Sequence, residues 1–149
     1  MRVTVQEDAF DPGAELNAFS AGRTDMGAVV TFSGVVRDTG SGQLETMEIE
    51  HYPGMTEAAL QEIAQTAMTR WSLGDALVIH RYGKMAPGDV IMMVATASRH
   101  RRDAFEAAEF LMDYLKSRAP FWKREVTADG TAWVAARDDD EAALDRWKS

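Results

Sequence analysis

No cysteine occurs among the 149 residues, so the chain forms no disulfide, offers no thiolate to a metal and carries no nucleophilic or persulfide sulfur of its own. Any sulfur chemistry has to import its sulfur. Histidine is nearly as scarce: His51, His80 and His100 fall in three different predicted elements without carboxylates at ligand spacing, which argues against a metal site. No apolar run approaches the length of a membrane span, and the opening "MRVTVQEDAF" lacks the apolar core and small-residue cleavage site of a secretory leader. A cytoplasmic protein is the expectation. Phosphate-binding glycine loops, dinucleotide fingerprints and nucleophile elbows are missing as well, and no cofactor is expected.

What is present suits one folded unit over residues 1–149, with 46% hydrophobic and 27% charged residues and no repeat, linker or low-complexity run. "RVTVQ" reads as a strand, and "MGAVVTFSGVVR" (26–37) as a long β-rich run with Gly34 as a bulge or point of close approach. "ETMEIEH" (45–51) alternates as a half-buried strand does. Spacings of three and four among Leu60, Ile63, Ala64, Ala67, Met68 and Trp71 predict a helix from about Thr56 to Trp71, closed by Gly74. "ALVIHRY" (76–82) and "DVIMMVATA" (89–97) read as an antiparallel pair joined through Pro87-Gly88. A second helix is predicted from Asp103, with Glu106 at capping-box spacing, to about Ser117, where Pro120 follows. "WKREVT" and "TAWVAA" then make two strands around "ADGT", and the acidic "DDDEAALDRW" a last short helix. The methionines and most tryptophans are assigned to apolar faces as core. Paired strands broken by helices predict an α+β fold.

The net charge of -8 and pI near 4.8 argue against a general nucleic-acid binder. Residues 98–126 nevertheless carry seven cations against five anions, while the rest of the chain carries nine against nineteen. A local basic site on an acidic body fits a small anionic ligand. In "YLKSRAPFWKREV" (114–126), Lys116 falls in the last turn of the predicted helix, where a cation complements the dipole, and Lys123 lies just past the Pro120 reversal. If the reversal brings them together, mutual repulsion and partial desolvation lower a lysine pKa toward the range useful for proton transfer or nucleophilic attack. Solvated helix-end lysines are the competing reading. Similarly, His100, Arg101 and Arg102 precede a helix, where cations oppose the dipole unless an anion sits there or surface acids pair with them. Arg37 ends the β-rich run and opens into "DTGSGQ", either as a ligand clamp or as an ordinary strand-end arginine.

Five stretches in register, "GAVVTFSGVVRD", "EHYPGMTEAAL", "HRYGKMAPGD", "HRRDAFEA" and "FLMDYLKSRAPFWKRE", resemble the large catalytic subunit family of molybdopterin synthase over about residues 26–135. The resemblance implies an α/β-hammerhead type of α+β fold, with an antiparallel-rich sheet, two main helices and short terminal helices. It implies a homodimer of this subunit within a heterotetramer, each end binding a small ubiquitin-like subunit whose C-terminal Gly-Gly thiocarboxylate delivers sulfur to cyclic pyranopterin monophosphate. Two transfers make the dithiolene of molybdopterin. Carried over position by position, Lys116 meets the tail terminus and Lys123 moves protons or stabilises the intermediate. Val35, Val36 and Arg37, with His100 and Arg101, hold the phosphate and pterin, and Arg124 and Glu125 complete the pocket wall. A non-catalytic module that docks such a tail or a phosphorylated metabolite is the alternative, distinguished by whether Lys116 and Lys123 lie together. An RNA-binding domain, which would want aromatics interleaved on a basic sheet face, is disfavoured by the acidic body.

Overall fold

A computed structural model describes residues 1–38, 44–134 and 138–148. The chain runs β1 (Arg2–Gln6), α1 (Pro12–Ser20), β2 (Ala28–Val35), β3 (Leu44–His51), α2 (Met55–Arg70), β4 (Asp75–Arg81), β5 (Gly83–Met85), β6 (Val90–Ser98), α3 (Arg101–Ser117), β7 (Phe121–Thr127), β8 (Gly130–Val134) and α4 (Asp138–Ala143), then a 3-10 turn over Leu144–Trp147. Two four-stranded sheets result. The first has the order β1-β4-β6-β2, in which only the β1–β4 pair is parallel, and the second has the order β5-β3-β7-β8, antiparallel throughout. The α+β class expected from the sequence is the one observed.

The first sheet is covered on both faces, which explains why β6 reads as a continuous apolar run with eight of its nine residues buried. Alternation along β4 sends Ala76 and Val78 to the face under α2 and α3, with Leu60, Ala64, Phe110 and Leu111. Leu77 and Ile79 face the other way, onto Phe19 of α1. Leu60 and Leu111 are fully buried, and truncating either to Ala is expected to cost about 2–5 kcal/mol.

Several local readings are revised. The helix α3 starts at Arg101 with His100 at its N-cap, so Asp103 is not a cap; Glu106 instead accepts from the Trp71 indole at 3.0 Å and from Arg102 at 3.0 Å. Tertiary partners outbid the local motif. Helix α1 was not among the elements read from the residues; Asp11 caps it by accepting from Gly13 N and Ala14 N. The β4–β6 pairing holds, but the connection contains β5, which crosses to the second sheet through Gly83 at φ +92. Gly34 does mark a register shift in β2, and a side chain there would press on Met92 at 3.3 Å. Met55 and Trp133 are 65% and 56% exposed, so those two are surface and not core. The predicted strand "TAWVAA" is seen to Val134, while residues 135–137 and most of the "DTGSGQ" loop (39–43) lie outside the described residues.

Candidate active site

Residues 114–126 do fold back on themselves. Lys116 is exposed in the last turn of α3, the helix stops at Ser117, and Phe121 opens β7. Strand alternation then puts Phe121, Lys123 and Glu125 on one face of β7, and Trp122, Arg124 and Val126 on the other. The register shows which face is inner, because Lys123 lies opposite Ile49, which is 1% exposed, and Phe121 lies opposite His51. Lys123 is therefore half-buried against the core.

Burial, and after it the nearby Lys116 ammonium, push the Lys123 amine below the usual lysine range, while the Asp140 carboxylate works in the opposite direction. The Lys116 charge is thus felt at Lys123 across the reversal. Asp140 is near because α4 docks on the end of α3, where the Ser117 hydroxyl donates to the Asp140 carbonyl at 2.8 Å and Arg118 pairs with Glu141 at 2.6 Å. The acidic tail thus faces the basic cluster.

Two histidines that the sequence left unassigned complete the surroundings. His80 of β4 is 7% exposed and stacks on Phe121 with ring centroids 3.7 Å apart. His51 of β3 lies 4.4 Å from the Tyr82 ring and 6.2 Å from Phe121. Burial pushes the His80 imidazole down to about 4; its bond to the Arg81 carbonyl opposes this, and Lys123 and His51 add to the fall. No sequence signal points to this cluster, since its members come from three strands of two sheets and the Tyr82 link after β4.

The other predicted residues are distributed more widely. Val36 is 2% exposed and held by its N–H to Asp89 O at 2.8 Å, leaving Val35 and Arg37 exposed on either side. Antiparallel pairing places this segment beside Val90, at the end of the first sheet where His80 and the close of α3 also lie. His100 and Arg101 are exposed at the opposite end, beyond the Ala28–Ser98 pair. An eight-residue strand spans about 25 Å, so Arg37 and the His100–Arg101 pair do not meet within one chain. Glu125 shares the Lys123 face. Arg124 points to the other face, ion-paired with Glu48 and 5.3 Å from the Trp133 ring centroid. Arg102 takes the surface-pair option with Glu106. Among the described residues no group of three or more His, Asp or Glu gathers at metal-ligand distances, and no helix is long and apolar enough to cross a membrane.

Comparison with known proteins agrees with the geometry. The MoaE protein family matches residues 5–118. A molybdopterin synthase catalytic subunit from Cereibacter sphaeroides is 65% identical over 99% of this chain and 100% of its own length. The solved molybdopterin biosynthesis MoaE protein from Burkholderia ambifaria superposes with a TM-score of 0.84 at 50% identity, covering 99% of this chain and 97% of that one. Molybdopterin synthase from Staphylococcus aureus gives a TM-score of 0.80 at 30% identity, covering 88% of this chain and 95% of that one. The chain belongs to the MoaE family of molybdopterin synthase catalytic subunits.

Proposed function

We propose that this chain transfers sulfur from the C-terminal thiocarboxylate of a small ubiquitin-like subunit to cyclic pyranopterin monophosphate, in the cytoplasm, with Lys116 and Lys123 as the catalytic pair. The observation that carries the reading is the half-buried Lys123, its basicity depressed by burial and by Lys116. In each round the thiocarboxylate sulfur forms a bond to a substrate carbon as that carbon's bond to oxygen breaks, the oxygen leaving as water or staying on the phosphate, and the tail is left joined through an acyl–sulfur link. Water then cleaves that link, so the sulfur stays on the substrate and the tail departs as a carboxylate. No oxidant is required. The exposed Lys116 ammonium holds and polarises the anionic tail, and Lys123, able to exist as a neutral amine, moves the protons.

The substrate phosphate and pterin fall to Arg37, with the flanking Val35 and Val36, and to His100 and Arg101. Their separation along the first sheet is the reason to propose a homodimer. The edge strand β2 leaves Val29, Phe32 and Val35 exposed at 37%, 45% and 50%. Two such edges related by a two-fold axis pair antiparallel, which brings the His100–Arg101 end of one copy beside the Arg37 end of the other. Glu125 lines the inner wall. Arg124 supports it from behind through Glu48.

The test combines the protein with a thiocarboxylated ubiquitin-like partner and cyclic pyranopterin monophosphate, and reads the dithiolene product as its fluorescent oxidised pterin. Product that is lost in Lys116→Ala and Lys123→Ala supports the assignment. Full activity in either variant, with the partner saturating, removes that lysine from the mechanism.

A further inference from the structure

Under Lys123 the two sheets meet through rings. His80 projects from β4 on the face shared with Ala76 and Val78, and its ring lies at 16° to that of Phe121, close to parallel. Its Nδ1 is 2.7 Å from the Arg81 carbonyl oxygen. A carbonyl only accepts, so Nδ1 carries the proton and the ring is a single neutral tautomer with Nε2 left as an acceptor. Phe121 and Lys123 are successive residues on the inner face of β7, about 7 Å apart along the strand. Whatever holds Phe121 therefore shapes the seat of Lys123.

We propose that His80 is the positioning residue for Lys123: locked to Arg81 and stacked on Phe121, its uncharged ring is the wall that fixes the lysine stem and keeps water from the amine. The inference rests on Lys123 being the working amine of the proposed function. The chemistry of the seat favours imidazole over the alternatives. A third cation would be repelled by Lys116 and Lys123, and a carboxylate would pair with Lys123 and hold it as ammonium. An aliphatic side chain would leave the Arg81 carbonyl without this donor. Histidine supplies the donor on one edge, an aromatic face for Phe121, and no charge.

Among the described residues, the charged and titratable groups near Lys123 include Lys116 from α3, Asp140 from α4, His80 from β4, His51 from β3 beside His80, and Glu125 on β7 itself. Across β8 its partner is Val134, which carries no charge. Of these, His80 combines burial with direct contact to the strand that bears the lysine.

The test measures the amine itself and needs no synthase turnover. The full chain is acylated with trace acetic anhydride across a pH series, and the extent at Lys123 is read by mass spectrometry relative to Lys84 and Lys148. In the unsubstituted protein Lys123 gains reactivity at lower pH than those two. His80→Asn keeps a donor for Arg81 but removes the ring, and Lys123 labelling at pH 8 is expected to fall about threefold or more, the change that half a pKa unit produces. His80→Phe keeps the ring and retains the early titration. Phe121→Leu removes the stacking partner and shifts labelling as His80→Asn does; it decides the matter if His80→Asn fails to fold. A Lys123 titration unchanged in a folded His80→Asn or Phe121→Leu protein overturns the proposal, as does an ordinary titration of Lys123 at the outset. A failed synthase assay with normal labelling shifts would instead sink the proposed function and leave this wall intact.

Discussion

The two ends of α3 carry basic residues in opposite settings. At its start His100, Arg101 and Arg102 stand in the open, and Arg102 finds only the neighbouring Glu106. At its end Lys116 lies above a strand whose Lys123 is pressed between two sheets, with rings below and an acidic helix alongside. The same residue class is thus solvated at one end and partly desolvated at the other. The difference lies in what covers each end. Helix α4 and the 3-10 turn pack against the end of α3, whereas the basic side chains at its start stay exposed.

Changing the covered end is expected to have the largest effect. Lys123→Ala should lower dithiolene formation by about 10²–10⁴-fold, the range for losing a positioned proton-transfer group, and the fluorescent-pterin assay reads it directly. The open end is expected to matter only through a second copy. A His100→Ala/Arg101→Ala chain and a Lys116→Ala chain, each inactive alone, should on random subunit exchange recover about a quarter of normal activity, because half the dimers then hold one intact site of two. No recovery, in dimers shown to have mixed, breaks the shared-site reading.

Stability against pH sharpens the contrast. His80 is depressed from 6.5 to about 4, so between those values the unfolded chain binds a proton that the folded one refuses. Stability is therefore lost as pH falls from 6.5 to about 4, by at most ~3 kcal/mol. His80→Phe should flatten this acid limb in urea titrations, at a cost of about 1 kcal/mol near neutrality for the lost bond to Arg81. Lys123 has the same sign at higher pH. Its folded pKa lies below the ordinary lysine value of 10.5, so keeping it costs stability once pH falls below that value. Lys123→Met should raise the melting temperature at pH 7, with the gain vanishing above that value. The smallest effect is reserved for the open end, where Arg102→Ala should leave the melting temperature unchanged within error.

Much of this was legible from the residues. The helices α2 and α3 announce themselves through apolar spacing, and Gly34 marks its bulge because a side chain would meet Met92. Lys116 and Lys123 could be paired in advance because only six residues, a proline among them, separate them, so the reversal is local. His80 could not be read as their neighbour, since its contact with Phe121 joins residues about forty positions apart on different sheets. Asp103 and Glu106 misled for the converse reason, as a local capping pattern lost to a tertiary bond from Trp71.

The sequence by itself determined the α+β class, the absence of any cysteine, the acidic body with its basic segment and the family, because composition, periodicity and in-register motifs are properties of the chain as written. Only the tertiary structure decided which cations are buried, which face of β7 looks inward, that Arg37 and His100 occupy opposite ends of one sheet, and that two histidines gather at the Phe121 ring. Those depend on the register between distant strands, and a one-residue slip in β7 against β3 would turn Lys123 out to solvent and Arg124 in.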